Sequence, residues 1–386
     1  MVVRFNPERL ARLKTRMEWH VGEGNSPGIA WQIGSLSDIV DEGAVGDVPE
    51  RALWRIYSMT KPLVSVAAMQ LFEECRVPLH APIARWLPEF KAPVVLNSDG
   101  SREPAKTPIT VRHLLCHMAG FTYGFQGDGV ARMYAQAGVL TDEAASLRAQ
   151  SELIASMPLV FHPGTGWRYS VATDILAALL EVEEDRPIRD ILQRRVFDPL
   201  GMTETGFHVR ERDLTRIMKV HGSPLPPALP PIPPLSIETL YPSDNPEYGR
   251  GGHGLFATLS DYTAFAKALL ALATAQGDGP VSPRGLQAMI TNQVPDAQLP
   301  LSIDLPFDTV SPGLGGFGFG LGFAVDQGAS GSNLLGHPGC FGWSGAADTW
   351  FTVDPDGGFY AVFMAQDLDP GGTPADFQTL LHAAVC

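Results

Sequence analysis

Ser58-Met59-Thr60-Lys61 constrains this chain more than any other stretch. The tetrad opens an apolar, helix-like run from Pro62 to Phe72. Three residues is close to one helical turn, so the Ser58 and Lys61 side chains share a face if the run is helical. A serine hydroxyl is a poor nucleophile at neutral pH because its proton is held too tightly. A deprotonated amine within hydrogen-bond reach can take that proton. A free lysine has a pKa of about 10.4, so the pairing needs burial or a neighbouring cation to disfavour the ammonium. The motif points to covalent acyl chemistry in a partly desolvated cleft. A surface lysine and a capping serine would give the same four letters, so the reading rests on partner residues elsewhere in the chain.

At 386 residues the chain is long enough for two domains or one large one. Hydrophobic residues make up 45% and charged residues 18%, which allows substantial cores. The net charge of -14 argues against nucleic acid, whose phosphates demand a basic surface, and against anionic membranes. Arg4, Glu8, Arg9, Arg12, Lys14, Arg16 and Glu18 leave no room for an uncharged signal-peptide core. The apolar segment Ala268 to Ala275 is too short to span a bilayer. A cytoplasmic location is expected. Cys75, Cys116, Cys340 and Cys386 show no metal-ligand spacing among themselves, and read as free thiols, mostly buried.

Asn6-Pro7-Glu8 is a helix start, followed by an apolar face of Leu10, Leu13 and Met17. Gly28 to Gly34 reads as a strand, turned into a second strand by Asp41-Glu42-Gly43. Helices are expected at Thr110 to His117, Thr141 to Met157, Ala172 to Glu184 and Ile188 to Val196. A proline-rich stretch between His221 and Tyr248 reads as an extended loop crossing between domains. A helix from Ser260 to Thr274 is expected to be capped by Ser260 and Asp261. Late strands fit Gly320 to Val325, Thr349 to Val353 and Phe359 to Met364, the last two joined by the Asp354-Pro355-Asp356-Gly357-Gly358 turn. A helix from Pro374 to Ala384 closes the chain. Gly313-Leu314-Gly315-Gly316-Phe317-Gly318 matches a dinucleotide-binding pattern without the strand and helix that pattern needs. No G-x-S-x-G is present, which disfavours an α/β-hydrolase.

A second catalytic element should bring a proton-relaying group to Ser58 and Lys61. Tyr169, just before the Ala172 helix, offers a phenol that can relay a proton or bond to the serine oxygen. Packing at a helix start would explain the same tyrosine. Ser243-Asp244-Asn245 is the rival, though its composition is that of an ordinary turn in the proline-rich loop. A third element should be an edge strand that lends a backbone N–H to an oxyanion. No Lys-Thr-Gly is present, which leaves His337-Pro338-Gly339 and Trp343-Ser344-Gly345-Ala346-Ala347.

Together, Ser58-Met59-Thr60-Lys61, Tyr169-Ser170-Val171 and Trp343-Ser344-Gly345 resemble the S-x-T-K, Y-S-x and W-x-G motifs of the family VIII carboxylesterases. These are relatives of class C β-lactamases within the penicillin-recognising superfamily. The likeness spans roughly residues 25 to 385, and it is the ordered set that makes it specific. Pro163-Gly164-Thr165, Gly254 to Thr258, and Ala346-Ala347 before a Phe-x-Val-Asp-Pro hairpin agree with it. The chain departs from the lactamases at Val171, where they carry an asparagine, and at Trp343, where they carry a lysine. Both changes make the cleft less polar and favour neutral esters over anionic β-lactams. The spacing to Asp354-Pro355 fits Trp343 better than His337, which stays open as an alternative.

The resemblance implies an α/β (α+β) serine β-lactamase-like fold, an antiparallel sheet flanked by helices plus a mostly helical domain. Residues 1–88 and 249–386 would form the sheet domain and 89–248 the helical one, with the cleft between. Ser58 would attack the ester carbonyl, with Lys61 and Tyr169 as general base and acid. The N–H groups of Ser58 and Ala346 would form the oxyanion hole. Trp343, Gly345 and Val171 would bind substrate, and Phe121, Tyr123, Phe125 and Tyr134 line a pocket or simply pack. No metal, cofactor or macromolecular partner is implied beyond a small-molecule ester. The same fold could carry a β-lactamase, a D-amino peptidase or amidase, or an acyltransferase. A non-catalytic cleft that binds an acyl or peptidoglycan-like ligand is the other class.

Overall fold

A computed structural model of the protein describes residues 4–139, 146–222, 249–299, 301, 303, 315–328, 335–368 and 372–386. Helix α1 (Pro7–Gly22) starts where Asn6 accepts a hydrogen bond from the Arg9 N–H at 3.1 Å, with Pro7 in the first turn. Strands β1 (Gly28–Gly34), β2 (Ile39–Gly46) and the short β3 (Trp54–Arg55) come next. A 3-10 turn (Tyr57–Met59) then runs into α2 (Thr60–Glu73). Strands β4 (Val94–Leu96) and β5 (Arg102–Pro104) pair with each other. They lead to α3 (Val111–Leu115), α4 (Gly129–Gln136), α5 (Leu147–Ala155), α6 (Ala172–Glu184), α7 (Ile188–Leu192) and α8 (Asp198–Leu200). After β6 (Phe256–Ala257), which pairs with β3, lie α9 (Leu259–Ala273) and α10 (Pro283–Met289). The chain ends with β7 (Phe317–Phe319), β8 (Ala324–Asp326), β9 (Phe341–Ser344), β10 (Trp350–Asp354), β11 (Phe359–Met364) and α11 (Thr373–Ala384).

One antiparallel sheet of order β2-β1-β11-β10-β9-β8-β7 organises the molecule, so the two ends of the chain meet within it. The alternation in β11 shows why helices cover both faces. Phe359, Ala361 and Phe363 point into a cluster with Leu13 and Met17 of α1 and Phe377 and Leu381 of α11. Tyr360, Val362 and Met364 point the other way, into the large core that holds α2, α6 and α9. The molecule is thus an α/β fold with an antiparallel sheet flanked by helices and further helices between residues 111 and 200, the architecture that the motif resemblance implies. No helix among the described residues is long and apolar enough to cross a membrane.

Three details differ from the sequence reading. The expected strand over 320–325 is a hairpin: Gly322 has φ +99°, and the Gly320 N–H donates to the Phe323 carbonyl, which divides the segment into β7 and β8. The cap of α9 is Thr258, whose side chain accepts from the Asp261 N–H at 3.1 Å; Ser260 is already helical. Of the four free cysteines, Cys116 and Cys340 are buried while Cys75 and Cys386 are exposed. The proline-rich stretch, including Ser243-Asp244-Asn245, falls outside the described residues apart from His221 and Gly222, as do Gly313 and Leu314.

The turn that carries Ser58 is held from several sides. Tyr57 takes a left-handed φ of +45° while its side chain is buried, a strained arrangement that needs surrounding support. The Ile56 N–H donates to the Leu255 carbonyl at 3.1 Å, and the Leu255 N–H to Thr60 Oγ1 at 3.2 Å. The buried Tyr262 hydroxyl of α9 donates to the Met59 carbonyl at 2.9 Å. Tyr262→Phe keeps the ring contacts with Phe265 and Phe351 but deletes this bond. It should cost about 1 kcal/mol of stability, read as a lower denaturant midpoint at unchanged slope. An unchanged midpoint would mean the bond contributes nothing.

Candidate active site

The Ser-x-x-Lys spacing produces the geometry that a helical turn demands. Lys61 Nζ lies 3.1 Å from Ser58 Oγ and donates to the Gly252 carbonyl at 2.7 Å. Lys61 is almost wholly buried, whereas Ser58 is partly open. The amine faces the rings of Tyr169 and Tyr123, 4.7 and 5.3 Å from their centroids. Tyr169 reaches this place because its loop is tied at both ends. The Arg168 N–H donates to the His117 carbonyl, and Gln126 Nε2 donates to the Tyr169 carbonyl at 2.5 Å. The Tyr169 hydroxyl accepts from Trp343 Nε1 at 3.4 Å and makes no hydrogen bond to Ser58 or Lys61 among the described residues. Such contacts often tighten only when substrate binds.

The third element is the end of β9. Trp343 packs its ring against Tyr169 and Phe319. Two residues on, Gly345 touches the carbonyl of Ile56, two residues before Ser58. Thr349 Oγ1 donates to the same carbonyl at 3.3 Å. Neither the Ser58 nor the Ala346 N–H takes part in a hydrogen bond among the described residues, and Ala346 is exposed. Val171, expected to bind substrate, is instead fully buried at the start of α6, where a valine at the helix start packs into the core. Phe121 packs on Phe90 in the core, and Tyr134 is fully buried. Tyr123 stacks on Phe125 beside Lys61. His337 is exposed at the other end of β9, with Nδ1 3.8 Å from Asp356.

Sequence reasoning missed the groups that set the electrostatics. Asp174, fully buried in the first turn of α6, accepts the Gly252 N–H through Oδ1 at 3.0 Å. Gly252 therefore links Asp174 to Lys61, and a side chain there would run into Asp174 Oδ2. Burial pushes the Asp174 carboxyl up to about 6, with the Lys61 charge and the Gly252 bond working against the rise. His117 and His253 are also buried near Lys61. Burial drives both imidazoles well below the usual range, and the Lys61 charge adds to the effect, so both are neutral at pH 7. His117 Nδ1 lies 3.1 Å from Ser170 Oγ and its ring packs on Tyr169, which makes it a spacer behind the phenol.

The family model for beta-lactamase matches residues 12–384. The chain belongs to the beta-lactamase family. This family member is 32% identical over 337 residues to protein Rv1367c of Mycobacterium tuberculosis, covering 81% of this chain and 77% of that one. It is 34% identical over 193 residues to esterase EstB of Burkholderia gladioli, a match spanning 49% of this chain and 47% of the esterase. Among solved structures it resembles EstCE1, described as a hydrolase with promiscuous acyltransferase activity. There the TM-score is 0.79 at 23% identity, covering 97% of this chain and 99% of the other.

Proposed function

We propose that this hydrolase is a carboxylesterase for short acyl chains that works through an acyl-enzyme on Ser58. The observation that carries the reading is the buried Lys61 amine 3.1 Å from Ser58 Oγ. Ser58 Oγ attacks the ester carbonyl as its proton passes to Lys61. Tyr169 then gives its proton to the departing alkoxide and regains one from the Lys61 ammonium, and water hydrolyses the acyl-enzyme with the same groups working in reverse. The N–H groups of Ser58 and Ala346 receive the oxyanion. Trp343 and Gly345 shape the substrate side of the cleft, which the fully buried Val171 does not face. The aromatic wall and the absence of a lysine at position 343 favour a neutral ester, and the similarity to EstB points the same way. The steps call for no partner beyond a small-molecule ester.

A panel of p-nitrophenyl esters of increasing chain length, run beside nitrocefin, tests the substrate class. Acetate or butyrate should turn over fastest; faster nitrocefin turnover would sink the esterase reading. The likeness to EstCE1 favours one second reading, acyl transfer to an alcohol. Adding an acceptor alcohol and measuring new ester against free acid separates the two.

Asp174 gives this mechanism a pH signature. Its carboxyl is charged above about 6 and neutral below, so the negative charge facing Lys61 disappears as pH falls through about 6. The acidic limb of kcat/KM should lie there. Asp174→Asn keeps an acceptor for the Gly252 N–H but has no charge to lose. It should flatten that limb, because the charge opposite Lys61 no longer changes with pH. A limb of unchanged shape in the variant would assign it to another group.

A further inference from the structure

Strands β8, β9 and β10 place three ionisable side chains in a row at the end of the sheet away from Ser58. Val325 pairs with Phe341, and Phe341 with Val353, so Asp326, Cys340 and Asp354 stand opposite one another in the next row. The Asp326 N–H continues the ladder to the Cys340 carbonyl at 2.8 Å. Directly opposed residues on antiparallel strands project to the same face, with Cβ atoms about 4.5–5.5 Å apart. All three are buried, so two carboxylates flank one thiol out of water.

His337 completes the group from the turn before β9. The Cys340 N–H donates to the His337 carbonyl at 3.1 Å, and the Gly339 N–H to the Asp326 carbonyl at 3.0 Å; Gly339 supplies the left-handed residue at φ +91°. One ligand atom from each of His337, Cys340 and Asp354 lies within 4.8 Å of the others. His337 is exposed while Cys340 and Asp354 are buried, which leaves the cluster open to solvent on one side. Two carboxylates and a thiol share the row with a single imidazole, which leaves it short of positive charge.

We propose that His337, Cys340 and Asp354 bind a borderline-soft divalent cation of the zinc type, with Asp326 or water as the fourth ligand. A thiolate, an imidazole and a carboxylate, two of them in His-x-x-Cys spacing, suit Zn²⁺ in tetrahedral geometry. Ligand atoms bound at about 2.0–2.3 Å from one metal lie closer together than 4.8 Å, so binding draws the exposed His337 turn inward. The thiol proton leaves for solvent as the metal–thiolate bond forms. At about 3.3 Å per residue, Cys340 is about 17 Å along the strand from Gly345. The metal therefore takes no part in ester cleavage; it fastens the turn before β9 to the end of β10 at the rear of the sheet, and β8 as well where Asp326 is the fourth ligand.

The test is titration of the chelator-treated, purified chain with Co²⁺ alone, followed by displacement with Zn²⁺. One equivalent of Co²⁺ should give a thiolate-to-cobalt charge-transfer band that one equivalent of Zn²⁺ removes, and Zn²⁺ should raise Tm. Cys340→Ser should abolish the band, while Cys116→Ser keeps it. His337→Ala, at an exposed position where folding is not at risk, should weaken Zn²⁺ binding by about tenfold or more with ester turnover unchanged. Absence of stoichiometric metal in the native mass spectrum, or a band that survives Cys340→Ser, overturns the proposal. Loss of ester turnover in His337→Ala would overturn the separation from the cleft.

Discussion

Ser58→Ala should bring hydrolysis of a p-nitrophenyl butyrate down to background, a loss on the order of 10⁶-fold where a serine nucleophile of this kind is removed. The substitution deletes the atom to which the acyl group is proposed to bond. Little else changes. Ser58 Oγ has Lys61 as its one hydrogen-bond partner among the described residues, and Lys61 keeps the Gly252 carbonyl. The variant should therefore melt with the parent, and should no longer be labelled by an active-site phosphonate. Substantial turnover in a well-folded Ser58→Ala protein would end the acyl-enzyme mechanism. Labelling without turnover in the parent would turn the reading towards a binding protein.

Gly345→Ala should cost about 10²–10³ in kcat with a small change in KM, the usual result of losing one oxyanion donor. A Cβ at Gly345 would stand 2.5 Å from the Ile56 carbonyl oxygen and nearer still to Thr349 Oγ1. Backbone carbonyls do not yield that much, so either the end of β9 or the turn before Ser58 must shift. Ala346 is the next residue, so such a shift would displace the N–H proposed to receive the oxyanion together with that of Ser58. Trp343 lies upstream in the strand and keeps its contacts with Tyr169 and Phe319, so substrate binding should persist. An unchanged kcat in this variant would mean that the oxyanion is held by other donors.

The parts of this site that could be read from sequence are those fixed by local geometry. Ser58 and Lys61 meet because a helix brings residues three apart onto one face. Tyr169 and Trp343, 174 residues apart, were legible only through the resemblance of the ordered motifs to a known family. Asp174 was not legible. An acid in the first turn of a helix is ordinary helix chemistry, and its special role arises only from contact with Gly252, 78 residues away. Gly252 in turn meets Lys61 across 191 residues, a pairing that no periodicity announces. The row of Asp326, Cys340 and Asp354 was hidden for a related reason. It exists only in the register of three strands, one of which begins after a glycine-bearing turn that looks continuous with it in sequence. The cap of α9 lies two residues before the expected one because threonine and serine both satisfy the same donor, and only backbone angles choose between them.

The pairing of β1 with β11 sets a schedule for making this protein. Strand β1 leaves the ribosome early, but the neighbour that must cover its second edge lies roughly 330 residues downstream, about 15–60 seconds of synthesis at ordinary rates. Through that interval a half-made sheet presents open backbone donors and acceptors to every other nascent chain nearby. Slower translation of the last codons should lengthen the exposure, and the yield of native protein in a cell should fall with it.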